Sequence, residues 1–218
     1  MKKLLGSLML VACQLAYAQS TRNGGEFSSL KVYNKRNVTL IPSNQSKVET
    51  ENNDPDIETV NKNGELKIKL SPAKILSGDQ IAVKVFYEKL NDIQASQGSS
   101  ISSSEELDAN MLSLTSNEGS KVNLNLDVSK LNIKTNSGGE IKISGTADNQ
   151  DVVVNSGGKY FGKEVKSQNT KVTANAGGVA EVNVSGSVNA TTRAGGIIEI
   201  YGDPEDRKVK NIIGGNIN

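Results

Sequence analysis

The chain has 218 residues, with 25 Lys+Arg against 24 Asp+Glu, no His, no Trp, one Cys and 21 Gly. The absence of His excludes the Ser/His/Asp and Cys/His nucleophile systems and His-based zinc sites, and the near-neutral balance lacks the basic excess of a nucleic-acid binder. Asn and Ser each occur 24 times while aromatics make up 4%, so such a polar chain either stays disordered or repeats a thin core.

Residues 1–18 read as a secretory signal peptide: Met1-Lys2-Lys3 is a basic start, Leu4 to Leu15 an apolar run, and Ala16-Tyr17-Ala18 a small-x-small cleavage site before Gln19. Leu10-Val11-Ala12-Cys13 also resembles a bacterial lipobox, which would place lipidation on Cys13 and tether the chain to a membrane. Otherwise Cys13 is an ordinary apolar residue of the signal. No later stretch approaches twenty apolar residues, so no transmembrane segment is expected in the mature chain. The expected address is therefore exported: periplasm, outer-membrane surface or secreted. Cleavage after Ala18 removes Lys2, Lys3 and Cys13 and leaves 23 basic and 24 acidic residues.

Residues 19–70 form an irregular β-patterned segment, with strands expected at 29–33, 37–41, 47–51 and 65–70 and turns at Asn52-Asn53-Asp54-Pro55 and Asn61-Lys62-Asn63-Gly64. This is where a solenoid needs a cap. Residues 71–218 hold regular repeats, and 19–218 together form a single domain.

The repeat is exposed by aligning glycines. Gly78, Gly98, Gly119, Gly138, Gly157, Gly177, Gly195 and Gly214 recur at about nineteen-residue steps, the last five as Gly-Gly. Three positions after each come Ile81, Ile101, Val122, Ile141, Tyr160, Ala180, Ile198 and Ile217. Five positions before each come Ala73, Ile93, Leu114, Ile133, Val152, Val172, Ala190 and Val209. Fixed chemistry at fixed offsets excludes disorder. Within each unit apolar and polar residues alternate, as in Glu140-Ile141-Lys142-Ile143, the period of a half-buried strand. Each unit therefore reads as two or three short strands with a Gly-Gly corner, where glycine tolerates positive φ.

Two all-β arrangements fit that pattern, a parallel coil with one unit per turn and an antiparallel meander. Asn117, Asn136, Asn155 and Asn175 each stand two residues before the glycine. In a coil they stack, each amide donating to one neighbour and accepting from the other as an Asn ladder; alternatively each favours its own turn. The fold expected is all-β, a parallel β-helix (β-solenoid) with about 19-residue turns. Its last unit, Gly214-Gly215-Asn216-Ile217-Asn218, is expected to expose a strand edge.

From Glu26 to Ile217 the chain resembles the bacterial head GIN domain family, also described as auto-transporter adhesin head domains and found mainly in Bacteroidetes. The resemblance rests on Phe27-Ser28-Ser29-Leu30-Lys31-Val32, Asn37-Val38-Thr39-Leu40, Asn63-Gly64-Glu65-Leu66-Lys67-Ile68, the Ser-Gly-Gly turns and Ile198-Glu199-Ile200-Tyr201-Gly202-Asp203-Pro204. It implies an exported β-helical domain and brings no catalytic residues. No C-terminal translocator barrel of the auto-transporter kind is expected from these residues.

Candidate sites are sparse. Glu105, Glu106 and Asp108, and Asp203, Glu205 and Asp206, are the best carboxylate groups for a polysaccharide-cleaving enzyme, but each reads as a solvated turn. Arg207-Lys208-Val209-Lys210 reads as the outer face of a strand around inward Val209, and Tyr160, Phe161 and Tyr201 as core or a small sugar-stacking patch. No catalytic residue, cofactor or metal is expected. The leading reading is a non-enzymatic interaction module for a glycan or an envelope protein. A carbohydrate-active β-helix enzyme and a structural envelope protein self-associating through its end strands are the alternatives. Mass spectrometry of the exported protein separates the two N-terminal readings: the expected mature chain begins at Gln19, and an acylated chain beginning at Cys13 would overturn it.

Overall fold

The computed structural model describes residues 20–23, 25–50, 56–71 and 82–218. Cys13, Ala18, Gln19 and the repeat positions Ala73, Gly78 and Ile81 lie outside the described residues.

The chain folds as a parallel β-solenoid. Its regular part is a stack of long β runs: β9 (Ser100–Asn117), β10 (Lys121–Asn136), β11 (Glu140–Val154), β12 (Lys159–Asn175) and β13 (Val179–Arg193). Each run lies parallel to the next, so that Val122 faces Ile141 and Ile133 faces Val152. After β13 the coil continues as β14 (Ile197–Tyr201), β15 (Asp206–Ile212) and β16 (Asn216–Ile217), with β14 and β15 both pairing with β13 and β16 with β14. Separate short strands within a unit are not what forms. One run bends at register shifts, such as those between Asn123 and Asn125 and between Lys142 and Ser144. The pairing is interrupted at these shifts and resumes beyond them, as from Asn123 opposite Ser102 to Asn125 opposite Glu106.

The N-terminal strands do not stack in sequence order. β2 (Ser29–Val32) lies between β6 (Glu65–Leu70) and β8 (Asp92–Ala95), and β3 (Asn37–Pro42) lies between β7 (Ala82–Tyr87) and β9. Three antiparallel pairings finish this end: β4 (Lys47–Thr50) on β7, β1 (Ser20–Asn23) on β4, and β5 (Ile57–Lys62) on β6.

Both apolar columns run through the interior. Val83, Val38, Ile101, Val122, Ile141, Tyr160, Ala180 and Ile198 are register neighbours, and none is more than 2% exposed. Leu66, Leu30, Ile93, Leu114, Ile133, Val152, Val172 and Ala190 form the second column and are as deeply buried. Val209 follows Ala190 in register but is 53% exposed. Each fully buried aliphatic side chain contributes roughly 1.5–3 kcal/mol before conformational entropy is subtracted. Many small contributions of this kind hold a thin core together.

Tyr160 is the largest member of its column and fits for three local reasons. Its neighbour Ala180 is small. Gly162 leaves room for the ring, since a Cβ there would lie 2.5 Å from Tyr160 Cζ and OH. Its hydroxyl donates to Gln150 Oε1 at 2.7 Å, which satisfies the one polar atom that burial would otherwise strand.

At the corners the two glycines do different work. Ser137 (φ 49°) and Gly138 (φ 71°) both lie in the left-handed region, as do Ser156 and Gly157, Ala176 and Gly177, and Ala194 and Gly195. The second glycine does not share that conformation. It is needed because the preceding turn passes too close: a Cβ on Gly139 would overlap the Ser116 carbonyl, while one on Gly138 meets open space. Where the second position is Ser120, its hydroxyl donates to the Ala95 carbonyl at 2.7 Å. Corner amides also bond from turn to turn, as in Gly138 N to Ser156 O at 3.2 Å.

These roles predict unequal costs in urea unfolding. Gly138→Ala is expected to lose about 1–2 kcal/mol from left-handed strain alone, and Gly139→Ala about 2–3 kcal/mol because backbone must move. Equal midpoints for the two variants would refute the assignment.

Candidate functional site

Outside the core, side chains from successive turns form columns about 4.8 Å apart, the spacing of neighbouring strands. The first is an amide chain. Asn136 donates to Asn117 at 2.8 Å, Asn155 to Asn136 at 3.0 Å and Asn175 to Asn155 at 2.8 Å. Asn117 in turn donates to Ser96 Oγ at 3.4 Å. These residues are half-buried beside the glycine corner, so the chain serves as structure.

A second polar column is exposed. Asn169 donates to Asn149 Oδ1 at 3.2 Å, and Ser187 donates to Asn169 Oδ1 at 2.8 Å. It runs along a shallow groove of about 360 Å³ that also takes in Lys171, Asn189 and Lys208. An Asn amide offers two N–H donors and two acceptor lone pairs. The column uses one donor and one acceptor of the exposed Asn169 amide.

On another face, Lys142, Phe161, Glu181 and Glu199 are register neighbours on β11 to β14. Phe161, Glu181 and Glu199 are half-buried. Tyr201 donates to Glu199 Oε2 at 2.8 Å, and the Lys163 ammonium stands 4.6 Å from the centroid of the Tyr201 ring. Asn183, beside Tyr201 in register, donates to the Lys163 carbonyl at 2.9 Å and so braces that segment. Burial raises the Glu181 carboxyl above its usual range; the Glu199 charge adds to this, and Lys163 opposes it.

The sequence-based candidates disperse. Glu105, Glu106 and Asp108 lie within β9 rather than in a turn, because the long run continues through its bend. Glu106 accepts from Asn125 at 3.0 Å, and Asn125 accepts from Ser144 at 3.0 Å, which makes it the end of a polar column. Asp203 and Glu205 lie between β14 and β15, and Asp206 begins β15, where it pairs with Lys208 at 3.0 Å. Arg207 is opposite Val188 while Val209 is opposite Ala190. Arg207 therefore shares the side of Val209, and only Lys208 and Lys210 occupy the outer side. Tyr160 is sealed in the core and unavailable for stacking on a sugar. Among the described residues no group of three or more His, Cys, Asp or Glu is placed to hold a metal ion, and no helix is long and apolar enough to cross a membrane.

Glu181 and Glu199 were legible as the fourth position after Gly177 and Gly195, and the same offset gives Phe161. Nothing in the repeat points to Lys163, which projects where the register between β12 and β13 shifts.

A continuous coil with these corners and columns matches a family model over residues 26–204, described as "Putative auto-transporter adhesin, head GIN domain". The chain belongs to this head GIN domain family. A crystal structure titled as a putative adhesin from Bacteroides fragilis superposes with a TM-score of 0.83 at 18% identity, covering 92% of this chain and 95% of that one. One from Parabacteroides distasonis with the same description gives 0.72 at 17% identity, covering 92% and 96%. Another from that organism, titled as a putative lipid binding protein, gives 0.67 at 16% identity with the same coverage, 92% and 96%. At these identities the likeness is one of fold. No curated protein is significantly similar to the head GIN chain.

The buried Tyr160 makes a testable pH signature. Burial raises its hydroxyl pKa above the usual value of 10.0. Stability from this group is full below the unfolded-state pKa of about 10 and falls by about 1.4 kcal/mol per pH unit above it, because only the unfolded chain ionises freely. Tyr160→Phe strands the Gln150 acceptor and is expected to cost about 1–3 kcal/mol at neutral pH. The gap to the parent should narrow above pH ~10 in denaturant melts; a constant gap would place the hydroxyl in solvent.

Proposed function

We propose that this head GIN chain is an exported, non-enzymatic, adhesin-like module that binds an extended glycan along a lateral face. The observation that carries the reading is the exposed Asn149–Asn169–Ser187 column in its shallow groove. Hydrogen-bonding groups repeat there at strand spacing, suited to a polymer rich in hydroxyls rather than to a compact substrate. An exported location is supported by the signal-like residues 1–18 and by the family description.

A glycan array with the purified chain tests this. Expected are binding to extended polysaccharides and no release of reducing ends. Asn169→Ala should weaken binding about tenfold, the scale of one lost hydrogen bond. Reducing-end release would establish the carbohydrate-active enzyme instead, and an array without binding would remove the glycan reading.

A further inference from the structure

The face carrying Phe161, Glu181 and Glu199 has a charge arrangement that the glycan reading does not use. Glu181 and Glu199 are direct register partners on β13 and β14, so the two acidic side chains leave the same side of adjacent strands whose backbones lie about 4.8 Å apart. Among the described residues, neither belongs to an ion pair. Phe161 borders the pair on the β12 side, and Tyr201, two residues beyond Glu199 along β14 and in register with Asn183, donates to Glu199. The chain already places one cation here. Lys163 lies over the Tyr201 ring, and its charge acts on Glu181.

We propose that this strip is a recognition site for an exposed arginine side chain of a partner protein. Charge complementarity selects the occupant. Two neighbouring carboxylates match the forked donors of a guanidinium, and the flanking rings favour a flat cation over a hydrated point charge. Lys163 is the internal competitor: it partly neutralises the strip in the free protein and is displaced from the Tyr201 ring when an arginine arrives. The half-burial of Glu181, whose carboxyl is raised by that burial, leaves a charge that gains from a partner. This surface is separate from the Asn149–Asn169–Ser187 groove, so its failure leaves the glycan reading standing, and the reverse.

The test is an NMR titration of the isotope-labelled full chain with N-acetyl-argininamide, its neutral citrulline analogue and cellobiose. Expected are shifts of the Phe161, Glu181, Glu199 and Tyr201 amides with the arginine compound alone. Glu199→Gln, which keeps the acceptor for Tyr201, should weaken that response about tenfold, as expected for losing one charge-assisted contact. Lys163→Ala should tighten it about two- to fivefold by freeing an exposed cation–π position. Melting curves of both variants check that the fold is intact; Glu181→Gln replaces Glu199→Gln if the latter unfolds. An equal response to the citrulline compound or to cellobiose overturns the proposal. So does a response centred on Glu105, Glu106 and Asp108, no response, or weaker binding by Lys163→Ala.

Discussion

The structure depends on one constraint: successive turns must superpose at strand spacing, so that every position of one turn lies on its counterpart in the next. Backbone hydrogen bonds impose it, and they continue from Gly119 through Gly138, Gly157 and Gly177 to Gly195 at the corners. A displaced residue disturbs its neighbours on both sides. The tolerance at a corner is consequently small, and side chains are excluded wherever two turns approach most closely, as at Gly139 over Ser116.

Superposition has opposite consequences inside and outside. Inside, stacked apolar residues exclude water, and a large side chain is accommodated only with compensation, as Tyr160 is by Ala180, Gly162 and Gln150. Outside, the same operation puts like beside like. Amides benefit, because each both donates and accepts. Carboxylates do not, and Glu181 over Glu199 is an electrostatic cost that the fold tolerates only at its half-exposed surface. The polar column of Asn149, Asn169 and Ser187 and the carboxylate strip are thus two products of one geometry, with different chemical appetites.

Much of this was legible in the chain itself. The offset columns beginning at Ile101 and Ile93 correspond to the observed registers through Ile141 and Ile133, because a column that repeats in sequence at the coil length must repeat in space. The positions of β2, β3, β4 and β6 were also readable from local alternation. The placement of β2 and β3 between later strands was not. Pairing between strands far apart in sequence leaves no local signature, and the N-terminal segment has no repeat to supply one. The short strand β1 escaped for the same reason, since its partner β4 lies far along the chain; β5 is instead a local hairpin partner of β6 across Asn63-Gly64, where the turn was read but its first strand was not.

By itself, then, the sequence determined the coil, its period, the inward columns as far as Ala190 and Ile198, and the exclusion of His-based chemistry; Val209, expected inward, is 53% exposed on the terminal strand β15. Those properties follow from composition and periodicity, which tertiary contacts do not alter. Only the tertiary structure decided which outward residues meet. Lys163 reaches Tyr201 across the β13 turn because β12 shifts register there. Arg207 stands on the side of Val209 because β15 docks in register with β13. Side-chain neighbours on different turns are set by register, and a shift of one residue moves every one of them to the opposite face.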